Sequence, residues 1–127
     1  MQYLVDDDRL SADIFLSLVQ RVWPGTFDEA KTAQALGRTL NITAWDQDRL
    51  VGCVRILSDG YYFGTIPEIL VDPAYQKQGI GRALMEQAWE HSPTSLFFGA
   101  QAGNEGFFEK MGYHRSLTSF QRKKKRA

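Results

Sequence analysis

Apolar positions change their spacing several times along this chain, and each change marks an element. Between Ser11 and Val22, the residues Ile14, Phe15, Leu18, Val19 and Val22 recur every three or four positions, which predicts an amphipathic helix beginning near Ser11. Trp23-Pro24-Gly25 stops it. Thr26-Phe27-Asp28-Glu29 has the form of a capping box, hydroxyl and carboxylate serving reciprocal backbone donors, so a second helix is expected from there to Leu36, before Gly37. Met1 to Val5 predicts a first strand. Leu40 to Trp45 and Leu50 to Leu57 are apolar, β-rich runs on either side of Asp46-Gln47-Asp48 and predict a hairpin. Beyond a turn at Ser58-Asp59-Gly60, Tyr61 to Val71 predicts a long third strand of the same meander.

The second half alternates faster. Gly79 to His91 puts Ile80, Leu84, Met85 and Ala88 on one helical face and is closed by Ser92-Pro93. Leu96 to Ala100 predicts a compact buried strand, and Asn104 to Met111 a helix of about two turns ending at Gly112. Tyr113 onward predicts one or two final strands. A strand, two helices, a meander and a βαβ-like end together predict an α/β (α+β) fold, a mixed sheet flanked by helices. Pro67 is the misfit, because proline cannot donate to a ladder, and the third strand should be bulged or at an edge there.

At 127 residues and 43% hydrophobic content the chain is expected to form one domain, residues 1–127, with a single core. Its one cysteine, Cys53, permits no internal disulfide and no multi-cysteine metal site, which suits a reducing cytoplasm. With no long apolar span and no cleavable leader pattern, a soluble cytoplasmic protein with no membrane partner and no metal is expected. The formal charge is zero but unevenly placed. Five of the fifteen basic residues lie in Arg122 to Arg126, leaving ten against fifteen acidic ones elsewhere, a net of minus five. The basic tail, 122–127, invites a nucleic-acid reading, but no basic stripe interleaved with aromatics continues it, so a solvated end is preferred and nucleic acid is not the expected partner.

Most of the chemistry is in Leu70-Val71-Asp72-Pro73-Ala74-Tyr75-Gln76-Lys77-Gln78-Gly79-Ile80-Gly81-Arg82. A strand hands over to a helix through glycines, and the leading N–H groups of a helix lack intrahelical partners and sit at the positive end of its dipole, so they suit a phosphate. Gly79 and Gly81 let a bulky ligand approach the backbone, and Gln76, Lys77 and Arg82 can add donors. Neither a P-loop nor the dinucleotide fingerprint fits: no Gly-Lys pair precedes Ser or Thr, and Leu84 stands where a third glycine would be.

The longer pattern is more specific. Val71-x-Pro73-x-Tyr75-Gln76-x-x-Gly79-x-Gly81, followed by Ala83-Leu84-Met85, resembles the acetyl-CoA-binding signature of the GNAT superfamily of N-acetyltransferases. Asn104-Glu105-Gly106-Phe107-Phe108-Glu109-Lys110-Met111-Gly112-Tyr113 is similar to that family's later segment. The resemblance spans roughly 50 to 113. It implies a mostly antiparallel sheet in which two parallel strands splay apart near Pro67, with the pantetheine arm of acetyl-CoA bonding the backbone of Ile69, Leu70 and Val71. The diphosphate would lie on Gln76, Lys77, Gln78, Gly79, Ile80, Gly81 and Arg82. Asn104 would hold the arm's amide, with a helix N-cap as the alternative, and Phe107 and Phe108, core aromatics first, would flank the arm.

Catalysis then needs no side-chain nucleophile. A backbone donor from Ile69 or Leu70 could stabilise the oxyanion formed when an amine attacks the thioester, worth roughly 3 kcal/mol. Glu68, beside the bulge, is the candidate base, with an ion-paired strand carboxylate as the alternative. Phe108 stands where many family members carry a tyrosine that protonates the leaving thiolate, so that proton must come from elsewhere. The acceptor wall implied is Trp23, Phe27, Tyr61, Tyr62 and Phe63, suited to a small-molecule amine. The readings kept open are a protein or peptide acetyltransferase and a catalytically weak acyl-CoA-binding regulator. A homodimer is a further option, because dimers are common in the family.

Overall fold

The hairpin forms because two runs of β-branched and apolar residues are joined by a polar turn in which Gln47 takes a left-handed conformation, φ 53°. In a computed structural model that describes residues 1–126, these runs are β2, Leu40–Asp46, and β3, Arg49–Ser58. On the outer side of β2 lies β1, Gln2–Val5, antiparallel and in register Gln2 with Trp45 to Val5 with Ile42. On the far side of β3 come two short antiparallel strands, β4, Gly64–Thr65, and β5, Ile69–Val71.

The expected long third strand is therefore two pieces. At its start, the Asp59 carboxylate accepts the amides of Tyr61, Tyr62 and Phe63 at 2.9, 2.7 and 3.1 Å, so these residues wrap around an acid instead of extending. In the middle, Leu57 faces Thr65 while Val54 faces Ile69, so Arg55 and Ile56 oppose three residues, Ile66, Pro67 and Glu68. That is the bulge Pro67 predicts.

Helices cover both faces. α1, Ala12–Val22, and α2, Glu29–Leu36, pack Phe15, Leu18, Val19 and Leu36 with Trp45, Leu50, Cys53 and Leu70 of the sheet. On the other face α3, Ile80–His91, packs Ile80, Leu84, Met85 and Ala88 with Ile42, Ala44, Val51, Val54 and Ile56. Leu18 and Leu84 are wholly buried, which stabilises by about 1.5 to 3 kcal/mol each. α2 is capped by Asp28, whose Oδ1 accepts the Lys31 amide at 2.8 Å, so the expected box with Thr26 as cap is displaced by two residues.

The C-terminal third departs most from expectation. In 96–100 only Phe97 pairs, by a single parallel bridge to Thr65, and no residue there is buried. α4, Glu105–Lys110, follows as expected, but Asn104 does not cap it by its side chain. Among the described residues no strand follows Tyr113, and Leu117 and Phe120 are 86% and 92% exposed. Strand propensity there finds no neighbour to pair with. The fold is the expected mixed α/β arrangement, an antiparallel sheet with flanking helices.

Candidate active site

The parallel pairing of β4 with Phe97 ends where the bulge begins. The Phe97 amide donates to Gly64 O at 2.9 Å and the Ile66 amide to Phe97 O at 3.3 Å, after which Pro67 has no N–H to offer and the two chains diverge. A cleft of about 180 Å³ occupies that divergence. Glu68, Ile69, Asn104, Phe108 and Trp23 line it, so five of the candidate site residues meet there, together with Pro67 of the bulge, Met85 of the α3 apolar face and Phe98, which the sequence pattern did not single out.

Register decides which backbone groups face the cleft. The Asp72 amide donates to Val51 O at 2.8 Å and the Arg55 amide to Glu68 O at 3.4 Å, and an antiparallel ladder alternates bonded and non-bonded pairs, so the bonded pair between them is Cys53 with Leu70. The Leu70 amide is thus committed to β3. This corrects its assignment as an oxyanion donor. Ile69 and Val71 face the other way, toward the side of β5 on which no strand is paired among the described residues. Leu70 contributes a side chain instead, 1% exposed against α1.

The glycine segment lies just beyond β5. Asp72 caps a short 3-10 turn, Pro73–Tyr75, its Oδ1 accepting the Ala74 amide at 2.9 Å, and Tyr75 Oη donates to Asp46 at 2.6 Å, which ties the turn to the β2–β3 connection. Lys77 and Gly79 both have left-handed φ, 65° and 81°, and 76–79 are exposed. For Lys77 that conformation costs about 1 kcal/mol or more, and such alternation of backbone hand builds concave sets of N–H groups that suit anions. Among the described residues no side chain caps α3, so the amides of Ile80, Gly81 and Arg82 keep their donors free of the helix. A Cβ on Gly81 would stand 3.8 Å from Phe107 and from Val71, which places Phe107 beside this terminus. Arg82 pairs with Glu86 at 3.2 Å, both exposed. Gln78 is exposed with no side-chain bond of its own among the described residues, while Gln76 reaches Val71 O at 3.5 Å.

Among the described residues Glu68 is the one carboxylate lining the cleft. It is held by Arg55, whose Nε and Nη2 donate to its two oxygens, the second at 2.7 Å. Arg55 is the residue sequence reasoning missed, although a lone charge inside Val51-Gly52-Cys53-Val54-Arg55-Ile56-Leu57 is a visible signal. Cys53 lies beneath, 1% exposed, and burial, reinforced by the Glu68 charge, pushes its thiol up to about 12. It is no nucleophile at neutral pH.

The acceptor wall is partly corrected. Trp23 lines the cleft and is 47% exposed, whereas Tyr61 and Tyr62 sit on the Asp59 turn, 79% and 84% exposed, and do not line it. Phe27 packs on the α1–α2 cluster. A larger hollow, about 520 Å³, lies between β1, α1 and α2, but its acids are already engaged, Asp6 by the Asn41 amide and Asp7 by Arg9. Among the described residues no group of three or more His, Cys, Asp or Glu could hold a metal, and no helix is long and apolar enough to cross a membrane.

The fold has many solved counterparts. A probable acetyltransferase from Staphylococcus aureus superposes with a TM-score of 0.78 at 20% identity, covering 96% of this chain and 100% of that one. The ribosomal-protein-S18-alanine N-acetyltransferase of Escherichia coli gives 0.73 at 22%, covering 91% and 80%. In sequence, 42 residues are 50% identical to the histone acetyltransferase TAP1 of Glycine max, a third of this chain but only 18% of that protein's length. Residues 12–126 match the family described as "Acetyltransferase (GNAT) domain", and the chain belongs to that family of acetyltransferases.

Proposed function

We propose that the chain moves an acetyl group from acetyl-CoA to the primary amine of a small molecule, by direct attack and without an acyl-enzyme. The observation that carries this is the pair of outward amides, Ile69 and Val71, on an unpaired strand edge that leads into the uncapped N-terminus of α3. An amide-bearing arm can add to such an edge as a strand does, and a diphosphate suits the helix end. Ile69, Val71, Asn104 and Phe108 would hold the arm, and Gln76 to Arg82 with Phe107 the diphosphate. Bound acetyl-CoA supplies an activated thioester.

The chain's own part is to bind, orient and manage protons. The Ile69 amide is the donor available to a developing oxyanion, worth about 3 kcal/mol when well aimed. An alkylamine with pKa about 10.4 is neutral in only about one part in a few thousand at pH 7, so a base helps, and Glu68 is the candidate, directly or through water. Phe108 cannot protonate the leaving sulfur. A thiol of pKa about 8.5 departs as thiolate at a cost of about 2 kcal/mol at pH 7, which the site can bear. The buried Cys53 thiol suits a cytoplasmic setting.

A second reading places the amine on a protein. The 50% identity over 42 residues to a histone acetyltransferase favours it, and the exposed Trp23 gives the cleft an open mouth. Thermal denaturation with acetyl-CoA tests the donor, since ligand at a hundred times its Kd adds about 2.7 kcal/mol. No shift at millimolar acetyl-CoA would sink both readings. Thiol release over a panel of small amines and amine-bearing peptides separates them, and binding without turnover on any of them would mark a regulator instead.

A further inference from the structure

The bulge beside the cleft interrupts the sheet's own ladder between the β4 and β5 pairings with β3. Two residues of β3 face three, one of which, Pro67, has no N–H, and the one backbone bond across the gap, Arg55 N–H to Glu68 O, is long at 3.4 Å. A side-chain bond crosses at the same place. The Arg55 fork donates to both oxygens of Glu68, with the two side chains only 16% and 15% exposed. The same guanidinium lies 5.8 Å from the ring of Phe15 on α1. One residue thus links β3, the bulge and the helix layer beneath.

We propose that Arg55 is a positioning residue of this site, its guanidinium fixing the bulged segment and with it the direction in which the Glu68 carboxylate and the Ile69 amide meet the cleft. The Glu68–Ile69 peptide is the joint concerned. With Pro67 before it and no strand on its outer side, that peptide is restrained on one side only, by Leu70 paired to Cys53 and by the Arg55–Glu68 contacts. A planar fork that bonds both carboxylate oxygens fixes orientation as well as distance, whereas a lysine ammonium would fix distance alone. The carboxylate keeps further lone pairs for a second donor, so being held by Arg55 and facing an amine are compatible. Acyl transfer is sensitive to such placement, since an error of about 1 Å can cost about a hundredfold in rate.

The inference rests on the acyl-transfer reading for its kinetic arm, and a second arm is independent of it. Arg55→Lys keeps the charge but loses the fork and the guanidinium near Phe15, and Arg55→Gln loses the charge as well. In both, backbone amide exchange at residues 55 and 70 is expected to speed up about tenfold or more, while amides of α3 and of β1 paired to β2 keep their rates. With acetyl-CoA and the best amine of the panel, kcat is expected to fall about 10- to 100-fold while the Kd of acetyl-CoA, set mainly at the α3 terminus, changes less than about threefold. Combined with Glu68→Gln, the Arg55→Gln loss should be non-additive, because both act through one contact. Unchanged exchange at residues 55 and 70 in Arg55→Lys overturns the proposal, as does wild-type kcat in a variant whose exchange has risen. If Arg55→Gln fails to fold, Arg55→Lys decides alone. Wild-type protein that neither binds acetyl-CoA nor releases thiol would instead overturn the acyl-transfer reading, and the exchange arm would still report on the clasp.

Discussion

Asp72 Oδ2 accepts the Arg21 Nε–H at 2.8 Å, joining the last turn of α1 to the turn that leads into the glycine segment 51 residues later. Arg49 Nη2 shares that oxygen at 3.0 Å, and the Asp72 side chain is 3% exposed. Burial by itself would raise this carboxyl, but the Ala74 amide and the Arg49 and Arg21 guanidinia overcome it and hold it below the usual carboxylate range. A folded-state value below the unfolded one gives stability that is fully present above about pH 4 and is lost as pH falls further. Asp72→Asn is expected to cost about 2 to 3 kcal/mol in urea unfolding at pH 7, the gap to wild type narrowing below about pH 4. A gap of equal size at pH 3 would contradict the assignment.

Gly52 lets α3 lie close on β3. A Cβ there would stand 3.0 Å from Leu84 Cδ1 and 3.1 Å from Ile80 Cγ2, tighter than ordinary contact, and both of those side chains are buried in the core. Gly52→Ala is therefore expected to destabilise by about 1 to 3 kcal/mol by overpacking, read as a lower urea midpoint at unchanged m. A midpoint equal to wild type would mean that the helix shifts freely.

Tyr113 shows the opposite sign. Its ring packs edge-on against Phe98 with centroids 5.1 Å apart, and its hydroxyl is buried without a hydrogen-bond partner among the described residues. An unpartnered buried hydroxyl costs free energy that a phenyl ring does not, so Tyr113→Phe should be neutral or stabilising by about 1 kcal/mol. Thermal and urea unfolding measure it, and a loss above about 1 kcal/mol would reveal a bond to this hydroxyl.

Local pattern carried much of this far, and its failures have physical causes. Helical spacing located α1 and α3 within a residue or so, because each has an apolar face to bury, and Gly112 marked the end of α4. Pro67 announced the bulge because its defect is covalent. Leu70 was misread since which amide of a strand points outward is settled by the partner's register, which no single segment contains. Tyr61 and Tyr62 were misread because β propensity lost to the Asp59 carboxylate, which binds three successive amides and closes a turn. Arg55 and Glu68 are thirteen residues apart, so only the folded sheet pairs them.

The glycine segment gives the sharpest separation of fold from function. Gly79 has φ 81°, so Gly79→Ala should cost about 1 to 2 kcal/mol of backbone strain whatever the ligand. Gly81 is different. It lies in the first turn of α3 with helical backbone, and a Cβ there would meet Phe107 and Val71 at 3.8 Å, which is ordinary contact. Nothing in the fold requires glycine at 81, and alanine is the better helix former by up to about 1 kcal/mol. Gly81→Ala is therefore expected to raise stability by about 0.5 to 1 kcal/mol while its methyl group crowds the free amides of the helix terminus and weakens acetyl-CoA about tenfold, or 1.4 kcal/mol. Urea unfolding and calorimetric titration on the same samples measure the two effects. Stability and binding that fall together would mean the fold itself needs this glycine, and a stabilised variant with unchanged acetyl-CoA affinity would mean that the ligand does not approach the backbone at Gly81.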